Sequence, residues 1–357
     1  MKIFIDTNVF YNDWFMKQAN FKYLFHYIAN ECEDLVMSKV VCEEVENIRK
    51  REAALSLTKI NDELKNLKKL LPFQVSFDSN EIQSFDYGFI DEIENKCENL
   101  TVIDYENISQ SEVVTRALSN RKPFTEGEKG YRDTLIWLSL LQYLKETNYS
   151  GDVAFISKNT SDFFVKKKSE FHLHADLLED LKSYEVTANI IPYDSLFSFV
   201  NGNIEKDQHV VEHSKIEDIL EREGCYYLSD ISGSELSSVL SQSRLSSVPL
   251  QNLIFSNAEI FEGLEDEYLE SSKEMKGDDV FVSYSFNLRR VILSLEIPKS
   301  DYEANKDIID EQFYDVEIKT DSVFIETVIR PYYEISFIYN TETELYKDVS
   351  ISCYGIR

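Results

Sequence analysis

A chain of 357 residues is long enough for two domains, each with its own core. With 43% hydrophobic and 29% charged residues the composition is globular, and no apolar run reaches the roughly 18 residues of a membrane span, which excludes a membrane partner from expectation. The net charge of -28 argues against tight non-specific binding of a polyanion, which calls for a basic footprint; the imbalance is steepest over residues 201–357, with 32 acidic against 14 basic side chains.

The first predicted element is a strand, Ile3, Phe4 and Ile5. An uninterrupted apolar run of this kind is covered on both faces, as in a parallel sheet flanked by helices. Asp6 falls at its carboxyl end, the edge where open α/β sheets bind ligands, and Thr7 and Asn8 follow. Because the strand begins at once, no amino-terminal leader is expected. A second short strand over residues 35–37 ends at Ser38, a good N-cap, and the amphipathic helix behind it carries Glu43 and Glu44 near its start. That helical pattern runs over residues 44–71 and stops at Pro72. Residues 72–100 are acidic and irregular with a helix expected over 86–97, followed by a strand at 101–103 and a helix at 111–118.

In EGEKGYRDTLIWLSLLQYL, Gly130 breaks the chain and Leu135, Ile136, Leu138, Leu141 and Leu144 recur at helical spacing. Asp133 therefore lies in the first turn of a buried helix. Residues 153–156 form another buried strand, with Ser157, Asn159 and Asp162 beyond its carboxyl end. A helix over 174–182 and a strand over 189–191 complete this part of the chain.

Asp6, Glu44, Asp133 and Asp162 thus stand at strand ends or helix starts. Helix N-termini favour Glu44 and Asp133 by about 0.3–1 kcal/mol each. Repulsion is larger, since two carboxylates about 4 Å apart cost roughly 4 kcal/mol at an effective dielectric near 20. A converged cluster needs a cation, and oxygen ligands without His or Cys select Mg²⁺ or Mn²⁺ over zinc. Arg116, Arg121, Lys122, Lys129 and Arg132 precede or join the Asp133 motif, and Lys166, Lys167 and Lys168 follow Asp162. These are candidate phosphate contacts, with a solvated helix face as the alternative for the lysine triplet.

DTN at 6–8, SKVVCEEV with Glu44, GYRDTLIW with Asp133 and FISKNTSDF with Asn159 and Asp162 together resemble the PIN domain nucleases, and more narrowly the larger bacterial PIN-like proteins, over residues 1–200. The resemblance implies a Rossmann-like α/β/α sandwich with a parallel sheet, whose clustered acids bind one or two Mg²⁺ or Mn²⁺ ions. It also implies hydrolysis of phosphodiesters, most often in single-stranded RNA, leaving 5'-phosphate and 3'-hydroxyl ends. Asp6, Glu44 and Asp133 match the family's first three acids, with Glu43 the alternative to its neighbour. Many PIN domains have an Asp directly after the final strand, where this chain has Asn159 and the acid arrives at Asp162. An Asn carbonyl can ligate a metal but supplies no charge. Asn8, Ser157 and Asn159 are expected to orient carboxylates or water. By analogy with the family, the cellular role is that of a growth-arrest toxin or a phage-defence effector. The alternatives are a catalytically inactive PIN-fold binding module, or a structure-specific DNA nuclease using the same acids.

Turn-forming chemistry marks residues 201–214 as a linker. Short helices are expected over 216–222 and 235–240. Beyond 278, β-branched and aromatic runs at 280–286, 290–297, 314–318, 323–329, 333–339 and 349–354 point to a mostly antiparallel sheet. Residues 215–357 therefore read as an acidic α+β domain. It has no nucleophile motif, phosphate loop or zinc spacing, and an interaction or regulatory role, through a protein partner or self-association, is what remains. Cys32, Cys42, Cys97, Cys225 and Cys353 are widely spaced and odd in number, as expected of reduced thiols in a cytoplasmic protein. His172 with His174, and His209 with His213, lack further ligands nearby and are not expected to bind metal.

Overall fold

The computed structural model describes the chain apart from residues 72, 74, 76, 78–81, 83–84, 125–128, 169, 204–212, 242, 244, 249 and 276. Pro72, His209 and most of the 201–214 linker lie outside the described residues. The chain folds as two compact units, Met1–Lys17 with Phe21–Phe199 and Gln18–Asn20 with Val200–Arg357.

The first unit has strands β1 (Lys2–Ile5), β2 (Asp34–Ser38), β3 (Leu100–Ile103), β4 (Asp152–Ile156), β5 (Phe164–Lys167), β6 (Glu170–Leu173) and β7 (Asn189–Tyr193). Its helices are α1 (Ala19–Glu31, from Phe21 on), α2 (Lys39–Leu70), α3 (Phe89–Glu94), α4 (Gln110–Leu118), α5 (Tyr131–Glu146), α6 (Thr160–Phe163), α7 (Ala175–Ser183) and the first half of α8 (Leu196–Asn203). Five strands form a wholly parallel sheet in the order β3-β2-β1-β4-β7. Ile3, Phe4, Ile5, Val153, Ala154, Phe155 and Ile156 are completely buried, so both faces of the central strands must be covered by helices. The strand order reverses between β1 and β4, which opens a crevice at their carboxyl ends. Pairing continues one residue past the strands, with Asp6 N donating to Ile156 O and Ser157 N to Tyr193 O, each at 3.0 Å.

Helix α2 starts at Lys39, so Glu44 is its sixth residue and not in the first turn. The terminal dipole, which acts within that turn, therefore favours Asp133 but not Glu44. Only Val40, Val41, Cys42, Val45 and Ile48 are buried along its 32 residues, which leaves the carboxyl-terminal half solvated. Helix α3 is shorter than the expected 86–97, and its first amide, Phe89 N, donates to Glu46 Oε1 at 2.9 Å. Lys166 and Lys167 are not on a helix face. They end β5, which pairs with β6 in a two-stranded antiparallel ribbon, and Lys168 follows with a left-handed φ of 59°.

In the second unit, helices α9 (His213–Asp230) and α10 (Gly233–Leu240) precede β8 (Phe255–Glu274), β9 (Asp279–Pro298), α11 (Lys299–Ala304), α12 (Lys306–Gln312), β10 (Asp315–Ile318), β11 (Ser322–Ile329), β12 (Pro331–Asn340) and β13 (Tyr346–Ile356). These six strands form an antiparallel sheet centred on β9. Asn201–Asn203, assigned by their turn chemistry to a linker, instead complete α8. The two runs expected at 280–286 and 290–297 are one strand: Leu288 between them is fully buried, and Asn287 Nδ2 is satisfied by Glu265 Oε2 at 2.9 Å. Ile216, Leu220 and Leu228 of α9 share a core with Phe286, Leu288, Tyr333 and Ile335 of the sheet. The same helix covers the edge of β8, where Ser229 Oγ accepts from Ala258 N at 3.1 Å and Glu221 Oε1 from Leu264 N at 2.8 Å. All five cysteines are free, and among the described residues no helix is long and apolar enough to cross a membrane.

Candidate active site

Asp6 leaves β1 into the crevice with its carboxylate fixed by three donors. Thr7 N binds Oδ1 at 2.8 Å, while Ser157 Oγ and Asn8 Nδ2 bind Oδ2 at 2.6 and 2.9 Å. The loops after β1 and β4 are tied together around it, since Lys158 N donates to Asn8 Oδ1 at 2.9 Å and Asn159 N to Ser157 Oγ at 3.0 Å. Burial is the largest influence on Asp6 and lifts its pKa to about 7; the Asp133 and Glu44 charges push the same way, against the Ser157 and Thr7 hydrogen bonds.

Glu44 turns toward this group and Glu43 away from it. Glu44 Oε2 accepts from Thr7 Oγ1 at 2.8 Å and its other oxygen pairs with Arg132. Glu43 accepts from the Tyr105 hydroxyl at 2.9 Å. Asp133 is the third residue of α5, whose entry requires Gly130 at a φ of +110°. A Cβ there would stand 2.5 Å from the Pro123 carbonyl oxygen. Burial also raises the Asp133 pKa, with the Asp162 and Glu44 charges adding to it, and a 3.4 Å hydrogen bond from Asn159 Nδ2 opposes the shift. Asp162, in α6, has Oδ1 3.2 Å from Lys122 Nζ, which also donates to Ser161 O at 2.8 Å.

The four acids therefore divide into two pairs. Glu44 and Asp162 each carry a basic partner, whereas Asp6 and Asp133 are held toward their protonated forms by burial and by neighbouring negative charge. Among the described residues, no three His, Cys, Asp or Glu side chains stand close enough as placed to hold an ion; their coupling is electrostatic and acts over longer distances. The donor set nonetheless fits a hard divalent cation. It consists of oxygens alone, and buried, mutually repelling carboxylates are the charges that a cation relieves.

Of the basic residues proposed for phosphate, Arg132 and Lys122 adjoin the acids. Arg121 does not: its guanidinium is committed to Asp180 at 2.7 Å and Glu179 at 3.1 Å. Arg116 is buried against the same Asp180, which also accepts from Trp137 Nε1 at 2.9 Å, so both arginines bind α7 to the fold. Lys129, Lys166, Lys167 and Lys168 are exposed, and Lys166 Nζ lies 5.3 Å from the Phe171 ring centroid. His174 Nδ1 caps α7 by accepting from Asp176 N, a structural use of that histidine. Thr7 is the residue that sequence reasoning passed over. Its position between Asp6 and Asn8 was visible, but its bond to Glu44 joins positions 37 apart.

Residues 3–163, which contain all four acids, match the family model described as the PIN domain. This match lies within the amino-terminal unit and supports its membership of the PIN domain nuclease superfamily. PIN domains are generally nucleases and typically use divalent metals. No curated protein and no solved structure matches the chain.

Proposed function

We propose that this chain is a metal-dependent endoribonuclease that hydrolyses phosphodiesters in single-stranded RNA. The observation that carries the reading is Asp6, buried and fixed by Ser157, Asn8 and Thr7 with its pKa lifted to about 7, within the electrostatic reach of Asp133 and Glu44. Asp6, Glu44, Asp133 and Asp162 are the residues that would hold one or two Mg²⁺ or Mn²⁺ ions. A bound ion supplies polarisation of the scissile phosphate and a lowered pKa for an attacking water. Ser157 and Asn8 hold the Asp6 oxygens in position, and Thr7 does the same for Glu44. Asn159 orients Asp133 without adding charge, which lowers the total repulsion that the cation must offset. Arg132 and Lys122 bring positive charge beside two of the acids, where a phosphate backbone would approach. In-line displacement then gives 5'-phosphate and 3'-hydroxyl ends.

In the cytoplasm such an activity suits a growth-arrest toxin or a phage-defence effector. The acidic second domain, over residues 215–357, is assigned to control or partner binding, because its charge repels a phosphate backbone. The test uses the full chain with matched single-stranded RNA and DNA oligonucleotides in EDTA, Mg²⁺ and Mn²⁺. Cleavage of RNA with either ion, its loss in EDTA and 5'-phosphate products are expected. Cleavage of DNA alone would make the protein a DNA nuclease. No cleavage and no saturable Mn²⁺ site would make it a binding module.

A further inference from the structure

We infer that a cavity beside Glu44 receives one unpaired nucleotide of the substrate, next to the phosphate that is cut. The position of that phosphate rests on the nuclease reading above; the binding of a base in the cavity does not. On α2, Val40, Glu44, Ile48 and Arg51 are three or four residues apart and share one helix face. Tyr131, Arg132 and Leu135, from the first turns of α5, and Tyr105, after β3, complete the lining.

The cleft is open to solvent and measures about 560 Å³, within the roughly 300–1,000 Å³ of small-molecule sites. Its chemistry is layered. Val40, Ile48 and Leu135 give an apolar floor, and they are all buried. Tyr131, the first residue of α5, is 55% exposed, which leaves its ring open to a ligand. The Tyr105 hydroxyl donates to Glu43 at 2.9 Å, which restrains its ring. Among the described residues Arg51 takes part in no ion pair, in contrast to Arg116, Arg121 and Arg132.

An apolar floor with an exposed aromatic ring takes the face of a base, and a lining guanidinium takes a phosphate. A base can enter such a cavity only when it is out of a helical stack, so the occupant is single-stranded. Glu43 and Glu44 also line the cavity, and each already has a partner, Tyr105 for Glu43 and Thr7 with Arg132 for Glu44. The cavity adjoins Glu44, so the base it holds neighbours the phosphate at the acids.

The experiment measures binding of a fluorescein-labelled single-stranded RNA oligonucleotide to the full chain by anisotropy, in EDTA and at several salt concentrations. Tyr131→Ala is expected to weaken binding roughly 5- to 100-fold without changing the salt slope, and Tyr131→Phe to bind as the wild type does. Arg51→Gln is expected to weaken binding and to lower the slope of log K against log salt by about one. Binding of the same sequence as duplex RNA should not respond to Tyr131→Ala. No measurable binding by the wild type, or unchanged affinity and slope in folded Tyr131→Ala and Arg51→Gln, overturns the inference. Cleavage with Mn²⁺, measured in parallel, reports on the nuclease reading separately. Tyr131-dependent binding without cleavage upholds the cavity and removes the nuclease, and cleavage without that dependence does the reverse.

Discussion

Ser157 Oγ donates a 2.6 Å hydrogen bond to Asp6 Oδ2 across 151 residues of sequence. The two residues end adjacent parallel strands, and Ser157 is completely buried, so the bond exists only once β1 and β4 are paired. It fixes the carboxylate where burial works against its charge.

That conflict makes stability depend on pH. In the unfolded chain an Asp titrates near 3.9, whereas Asp6 in the fold titrates at about 7. Between these values the folded chain holds a proton that the unfolded chain has lost, so this contribution is full below about pH 4 and is lost as pH rises through 7. Asp133, also raised, has the same sign. Urea denaturation in EDTA should therefore show the wild type losing roughly 1–4 kcal/mol more than Asp6→Asn between pH 4 and pH 8. Equal losses would remove the assigned burial cost of Asp6. Saturating Mn²⁺ should restore the wild type at pH 8 and not the variant.

The Arg116–Asp180 pair is a stability element. Asp180→Ala leaves Arg116 charged and buried, and should cost about 3–5 kcal/mol in urea denaturation, with a smaller loss for Asp180→Asn. Arg121→Ala should leave the salt dependence of RNA binding unchanged, because its guanidinium serves Asp180 and Glu179. A slope reduced by one would return Arg121 to the substrate surface.

Gly130→Ala meets both a left-handed φ and the Pro123 carbonyl. A loss of roughly 1–3 kcal/mol is expected, together with weaker Mn²⁺ binding because Asp133 begins three residues later. Wild-type stability and Mn²⁺ affinity in this variant would show that the helix start tolerates movement.

Much of this was legible in the sequence for a physical reason. Ile3, Phe4 and Ile5 are fully buried and could be read from apolar continuity, and α5 from apolar residues at helical spacing. Asp6 and Asp162 were visible beyond the ends of buried strands, and Glu44 and Asp133 near the starts of helices. Strand β8 escaped because Glu259, Glu262, Glu267 and Glu270 interrupt its apolar run, and its stability comes from pairing with β9 and cover from α9. The β5–β6 ribbon was hidden by three consecutive lysines, whose solvated side chains give no period. The ion pairs of Arg121 were hidden because its partners lie more than 50 residues away, which charge patterning along the chain does not reveal.

The most direct test is the rate of Mn²⁺-dependent cleavage of single-stranded RNA by the full-length wild type and by Asp133→Asn, with their circular dichroism compared. The substitution keeps the shape of a side chain at the start of α5 and removes one charge from the acid group. The wild type should cut, and the variant should be slower on the order of 100-fold or more, the kinetic equivalent of several kcal/mol of lost charge stabilisation. Cleavage by a folded Asp133→Asn at the wild-type rate would contradict the role given to the four acids.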